Sequence, residues 1–379
     1  MFNRKVCFLR DIFTHNCITY VAPAMEATAL RIAVKDNIAV KDQPLTCASS
    51  FLQGFISTYD SDVVRILKER GASFPYRTNM DEFGMGSTTS NSFYGPTQNA
   101  INPDFSPGGS SGGSAVAVAL GYCEAALGSD TGGSIRLPAA CNQIIGFKSS
   151  NGRISRHGLV SYAPSLDTIG FFAKTVDLVE RLFEWTKDQG SLIERVENRQ
   201  SLRNVAISQE LNTSDSAEKM VFLFPEAVHH SYDLLEEALE HYYVIACCEA
   251  MSTMSRYNAN APFHKSDSTL SDLVKARVER GRQIMLKERE RYYKAQEYRQ
   301  RLSAVFEHFD LLIMPTIMCE PTHENVSNES IDRNLVIVNL LRAPAITIPH
   351  PLFPWGLQLV SRPGSDEELL RKAKDALGR

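Results

Sequence analysis

Apolar residues follow two rhythms along this chain. Short aliphatic runs predict buried strands at Leu30-Arg-Ile-Ala-Val34, Glu124-Ala-Ala-Leu-Gly128, Ile144-Ile-Gly-Phe147, Val205-Ala-Ile207, Leu311-Leu-Ile-Met-Pro315, Ala345-Ile-Thr-Ile348 and Leu357-Gln-Leu-Val360. Between them, apolar positions recur at helical spacing. In residues 61–70, Ser61 stands at the N-cap, Val63, Val64, Ile66 and Leu67 line one side, and Gly71 ends the helix. Residues 78–87 predict a short helix and loop, and 113–120 a helix of small residues that packs closely on a sheet. Thr175 caps a helix carrying Val176, Val179, Leu182 and Phe183 on one side. Two longer helical stretches run from about Tyr232 to Tyr257 and about Ser271 to Phe309, and a last helix starts near Ser365. The alternation predicts an α/β fold with a mostly parallel or mixed sheet. Residues 188–230 carry the weakest pattern.

Composition narrows the classes. The 379 residues are 43% hydrophobic and 22% charged, enough for a large core. A net charge of −4 and a pI near 6.2 give a poor footprint for direct nucleic-acid binding, so a bound RNA would be held by a partner. The basic and acidic residues of 271–309 read as a solvated helix face. Eight cysteines with no CxxC pair predict buried free thiols in a reducing compartment, including the adjacent Cys247 and Cys248. No apolar run approaches the ~18–20 residues of a membrane span. Met1 to Arg10 is basic, with no acid until Asp11, as in an organellar leader. Residues 1–24 are therefore read as an N-terminal segment and candidate presequence remnant, and 25–379 as a single domain.

The candidate chemistry lies in two glycine- and serine-dense stretches, Ser106-Pro-Gly-Gly-Ser-Ser-Gly-Gly-Ser114 and Gly128-Ser-Asp-Thr-Gly-Gly-Ser134. With few Cβ atoms, such backbones can bring N–H groups and hydroxyls into a small space. Acyl transfer needs a nucleophile, a base and an oxyanion site. Ser134 follows Thr131-Gly132-Gly133, whose N–H groups can converge. A helix starting after Ile135, with Pro138 tolerated in its first turn, would favour an oxyanion at its positive end. None of the nine histidines stands in a local arrangement that names it as the base. His229-His230 lies in no HExxH pattern and reads as a surface pair, so no metal is expected. A GxSxG elbow is missing, and no Gly-Lys-Ser/Thr follows the glycines as a phosphate cradle would need. Lys35 remains, at the end of an apolar strand, because burial disfavours the charged form of lysine. Ser106, Ser111, Ser114 and Ser129 read as packing or capping groups, with Ser129 and Asp130 orienting the loop.

Lys35, Gly108-Gly-Ser-Ser-Gly-Gly113 and Gly128-Ser-Asp-Thr-Gly-Gly-Ser134, taken together with their spacing, resemble the amidase-signature enzymes. The resemblance implies a mixed central sheet covered by helices on both faces. It implies Ser134 as nucleophile, Ser110 as proton relay behind a cis peptide from Gly109, and Lys35 as terminal base. Thr131, Gly132 and Gly133 would form the oxyanion hole. Asn79-Met-Asp-Glu-Phe-Gly-Met-Gly-Ser87, the second glycine stretch and Gly152-Arg-Ile-Ser-Arg-His-Gly-Leu159 are most similar to the A-type (GatA) subunits of the glutamyl-tRNA(Gln) amidotransferases, over about 25–185 closely and 240–363 more loosely.

That branch implies a glutamine-hydrolysing subunit of a glutaminyl-tRNA synthase. It would release ammonia to convert misacylated Glu-tRNA(Gln) into Gln-tRNA(Gln), and Arg277, Asp332 and Tyr243 would hold the glutamine. It implies no cofactor in this chain. ATP and Mg²⁺ would be used by a GatB-type transferase subunit that also holds most of the tRNA, beside a small third subunit of the GatC or GatF type. The abbreviated start, the divergent 188–230 segment and the brief tail after Arg362 resemble a fungal mitochondrial form, which implies the mitochondrial matrix. The alternatives are a stand-alone amidase acting on small or fatty amides and a scaffold without activity.

Overall fold

The computed structural model describes residues 14–23, 29–187, 204–208, 213–230, 235–259, 269–327 and 329–378. The leader-like run 1–13, residues 188–203 of the weakly patterned segment and the first residues of the helix expected from Tyr232 lie outside these. In chain order the first half runs β1 (Ile18–Val21), β2 (Leu30–Lys35), α1 (Asp62–Glu69), β3 (Ala72–Ser73), β4 (Tyr76–Thr78), α2 (Gly112–Ala119), β5 (Ala125–Asp130), α3 (Arg136–Cys141), β6 (Ile145–Lys148), β7 (Thr168–Ala173) and α4 (Val176–Thr186). The second half runs β8 (Val205–Ser208), α5 (Ser214–Leu223), β9 (Val228–His230), α6 (Ala238–Ala259), α7 (Asp272–Lys287), α8 (Arg289–Leu302), β10 (Leu311–Pro315), α9 (His323–Ser327), α10 (Arg333–Leu340), β11 (Ala345–His350), β12 (Phe353–Ser361) and α11 (Asp366–Leu377).

The strands join one sheet in the order β1-β4-β2-β5-β7-β6-β11-β12-β10-β8-β9, with β3 beside β2. It is mixed: β2 pairs parallel with β4 and β5, while β5–β7, β7–β6, β6–β11 and β11–β12 are antiparallel. Side-chain alternation builds two cores. Ile32, Val34, Leu127 and Phe171 point to a face packed with Val63, Val64, Val179 and Phe183. Their neighbours Ala33, Ala126 and Phe172 point to the other, filled by Ala115 to Val118 of α2 and by Ile135 and Ala139. The small residues of α2 let that helix sit close to β2, which ends in Lys35, and to β5, which carries the start of the second glycine stretch.

Three expectations are corrected. The helix expected over 271–309 breaks at Glu288, which leaves helical geometry (φ −131°, ψ 32°) while its carboxylate pairs with Arg291 of the next helix at 2.6 Å. The strands expected from the pattern leave out β7 (Thr168–Ala173), which is buried along its whole length. The domain boundary before residue 25 separates off a strand that the sheet incorporates: β1 pairs with β4, and Cys17 and Ile18 are buried.

Helices α6 and α7 touch backbone to backbone. A Cβ at Gly281 would lie 2.0 Å from the Cys247 carbonyl oxygen. This close approach fixes α7, which carries Arg277 one turn earlier. Gly281→Ala should therefore destabilise the protein by about 1–3 kcal/mol through overpacking. A urea unfolding midpoint equal to that of the parent would refute the tight crossing.

Candidate active site

Lys35 ends β2, and its side chain is fully buried. Its Nζ lies 2.8 Å from Ser110 Oγ, 2.9 Å from Ser129 Oγ and 3.3 Å from the Ser129 carbonyl. Ser129 sits on β5, the parallel neighbour of β2, and also accepts a hydrogen bond from Asn37 Nδ2 at 3.0 Å. Sequence reasoning placed Ser129 among packing groups; it touches the lysine directly. Burial lowers the Lys35 pKa from 10.5 to about 7, although Asp81, Asp130 and Asp167 pull the other way.

Ser110 lies just before α2, behind a cis peptide from Gly109. Its carbonyl accepts the Asp81 N–H at 3.1 Å. Asp81 in turn accepts N–H bonds from Thr89 at 2.9 Å and Asn91 at 3.1 Å. Burial lifts Asp81 to about 6 against those bonds and the nearby Lys35. The other serines of this stretch are structural: Ser111 Oγ donates to the Ser129 carbonyl, Ser114 Oγ to that of Leu127, and Ser106 Oγ accepts from Gly108 N–H.

Asp130 holds the loop that follows β5. It accepts N–H bonds from Gly133 at 2.9 Å and Ile135 at 3.1 Å, and it pairs with Arg136 at 3.0 Å. Burial alone would lift its pKa, but Arg136, Lys148 and Asn339 hold it below the usual carboxylate range. Arg136 reaches across the sheet to Gln358 Oε1, Asn339 Oδ1 and the Leu335 carbonyl. Gly133, expected in the oxyanion hole, thus commits its N–H to Asp130, and at φ +117° it takes a turn that suits glycine. Gly132 abuts a tyrosine: a Cβ there would come within 2.2 Å of the Tyr242 hydroxyl.

A narrow cleft opens over this loop, lined by Gly84, Gly109, Thr131, Gly132, Ser134, Tyr162, Tyr242, Tyr243, Arg277 and Asp332. Ser134 keeps 9% of its surface, against 1% for Ser110 and none for Lys35, so Ser134 is the most accessible of the three. Arg277 donates to the Tyr162 hydroxyl at 2.7 Å and lies over the Tyr243 ring at 5.5 Å. Tyr243 donates to Asp332 Oδ2 at 2.7 Å. Asp332 begins α10 but makes no side-chain cap bond; its carboxylate turns toward the tyrosine. A cation and a carboxylate in the cleft that Ser134 lines can take the two charged groups of an amino acid.

Tyr162 and Asp167 were not foreseen. Neither stands in a glycine-rich or motif-like context, and only the tertiary fold brings Tyr162 to the cleft and Asp167 to the Thr131 hydroxyl. His229 and His230 end on the short edge strand β9. Among the described residues, no group of three or more His, Cys, Asp or Glu could hold a metal ion, and no helix is long and apolar enough to cross a membrane. Cys17, Cys47, Cys123, Cys141, Cys247 and Cys248 are buried free thiols, and Cys319 is exposed.

The chain has relatives among known proteins. The family model described as Amidase matches residues 28–370. The GatA-type glutamyl-tRNA(Gln) amidotransferase subunit from Borreliella afzelii is 36% identical, covering 97% of this chain and 87% of its own length. The mitochondrial GatA-type glutamyl-tRNA(Gln) amidotransferase subunit of Yarrowia lipolytica is 32% identical, covering 91% of each chain. The crystal structure of the GatA-type glutamyl-tRNA(Gln) amidotransferase subunit from Thermotoga maritima superposes with a TM-score of 0.76 at 29% identity, over 94% of this chain and 85% of that one.

The low Lys35 pKa has a consequence for stability. Between about 7 and 10.5 the unfolded chain binds a proton at this lysine that the folded chain does not, so its contribution makes stability rise with pH across that window. Lys35→Met removes the dependence. The variant should have a higher urea midpoint than the parent at pH 7, with the gap narrowing toward pH 10. A gap that does not change with pH would show that Lys35 is charged in the folded protein.

Proposed function

Because this chain belongs to the amidase family, we propose that it is the glutamine-hydrolysing, GatA-type subunit of a glutamyl-tRNA(Gln) amidotransferase. The observation that carries this reading is the pairing of two features in one place. A buried lysine contacts Ser110, and the cleft onto which Ser134 opens is also lined by Arg277 and Asp332.

The chemistry follows from the charges. Neutral Lys35 has one lone pair and two N–H bonds. The two N–H bonds suit Ser129 Oγ and the Ser129 carbonyl, leaving the lone pair for the Ser110 proton. Ser110 then takes a proton from Ser134 as its oxygen attacks the side-chain amide carbon of glutamine. The negative charge on the amide oxygen is received by the backbone N–H groups of Thr131 and Gly132, while Gly133 shapes the loop. The relay runs backward to protonate the departing nitrogen, ammonia leaves, and water cleaves the acyl-serine to give glutamate. Arg277 takes the α-carboxylate, and Asp332, positioned by Tyr243, takes the α-ammonium group.

The ammonia would pass to a GatB-type partner that uses ATP and Mg²⁺ to amidate Glu-tRNA(Gln), with a small third subunit of the GatC or GatF type completing the complex. The acidic balance of this chain favours a tRNA held mainly by the partner. Its likeness to a relative named as mitochondrial supports a place in the mitochondrial matrix.

Two tests bear on this reading. Ser134→Ala should abolish glutamate release, yet the assembled complex should still amidate Glu-tRNA(Gln) when ammonia is supplied; loss of both activities would count against the role. The acid limb of kcat/KM for glutamine should rise with pH to a plateau above about 7, as Lys35 loses its proton. A profile flat from pH 5.5 to 8.5, a range chosen to span roughly 1.5 pH units on either side of that value, would exclude Lys35 as the base.

A further inference from the structure

One buried carboxylate bonds two residues that line the cleft, Thr131 and Tyr162. Asp167 precedes β7 and is 2% exposed. Its Oδ1 accepts the Thr131 hydroxyl at 2.6 Å and the Ala163 N–H at 3.2 Å. Its Oδ2 accepts the Ser161 hydroxyl at 2.5 Å and the Tyr162 N–H at 3.0 Å. One oxygen therefore grips the residue expected to receive the oxyanion. The other grips the backbone of the tyrosine whose hydroxyl accepts from Arg277. The turn between them is closed by Asp167 N–H bonding the Ala163 carbonyl at 2.9 Å, so the carboxylate cannot shift without moving both.

Resting on the proposed role of Ser134, we infer that Asp167 is a positioning residue that sets the distance between the oxyanion site and the arginine anchor. The substrate it selects for is a free α-amino acid with a side-chain amide one fixed length from its carboxylate. Thr131 and Tyr162 are the two arms of this gauge. The Thr131 hydroxyl has no part in receiving the oxyanion, which falls to its N–H; the hydroxyl holds that N–H in place. The Tyr162 ring does the same for the Arg277 guanidinium, which also lies 5.7 Å from the ring centre. An asparagine at 167 cannot replace the fork. Its NH₂ group would face one pair of donors and lose that arm.

The arms should separate in kinetics measured as glutamate release by the full chain purified with its partner subunits. Thr131→Val keeps the N–H and removes the hydroxyl. It should lower kcat about 10- to 100-fold with KM for glutamine within about twofold, since small misplacements of reacting groups cost about 100-fold. Thr131→Ser, which keeps the hydroxyl, should recover most of that loss. Tyr162→Phe should raise KM about tenfold with kcat nearly unchanged, the mark of lost ground-state binding. Asp167→Asn should show both defects, and adding Thr131→Val to it should cost no further kcat.

The proposal is overturned if Thr131→Val has the constants of the parent. It is also overturned if Asp167→Asn lowers the thermal midpoint but leaves KM, and kcat per serine labelled by a fluorophosphonate probe, unchanged. Ser134→Ala, assayed alongside, separates the two levels. If it retains glutamate release, the nucleophile assignment falls. If it is inactive while the 131, 162 and 167 variants behave as the parent, only the positioning role falls.

Discussion

An ammonium group cannot easily sit where Lys35 sits. It has no solvent, and its contacts are two hydroxyls and a carbonyl, with no carboxylate among them. Burial therefore brings the group to the edge of neutrality near physiological pH. Much of the surrounding architecture serves that condition. The β2–β5 pairing puts Ser129 beside the lysine, Asn37 fixes Ser129, and the Gly109–Ser110 turn brings a second hydroxyl to the nitrogen. On the proposed role, the arrangement sacrifices stability for a proton acceptor, since an apolar side chain would fill the same space without a desolvation penalty.

The opposite charge is handled differently a few residues away. Asp130 is as deeply buried, but the Arg136 guanidinium and several N–H donors keep it ionised. A fixed negative charge under the Ser134 loop would repel an oxyanion if it were unscreened. Here Arg136 lies against it, and the loop N–H of Gly133 is drawn down to the carboxylate. The loop thus divides its donors: those of Gly133 and Ile135 face inward to hold the turn, and Thr131 and Gly132 line the cleft.

How much of this was legible beforehand depended on whether the signal was local. The strands at Leu30, Leu311, Ala345 and Leu357, and the helices capped by Ser61 and Thr175, announce themselves by period and cap. The two glycine stretches and Lys35 carried the site because their residue types have few other uses in combination. Asp167 and Tyr162 gave no such sign, since an aspartate before an apolar run and a tyrosine in a loop have many roles. The engagement of the Gly133 N–H was equally hidden, because nothing in Thr-Gly-Gly says which N–H turns inward. Helix periodicity runs unbroken through Glu288, and nothing in the linear pattern marks the break there. Strand β7 was passed over because its first residues are polar and its glycine interrupts the apolar run.

The route of the sheet has a bearing on how the molecule is made. Strand β6 from the first half pairs with β11 from the second, and Arg136, two residues past Ser134, closes on Gln358 and Asn339. During synthesis from the N-terminus, residues 35, 110 and 134 all emerge long before those partners exist. The nascent polypeptide thus carries every group of the proposed relay while the turn before Ser134 still lacks its later partners. That turn is completed late, when the last two strands of the growing chain are threaded between β6 and β10.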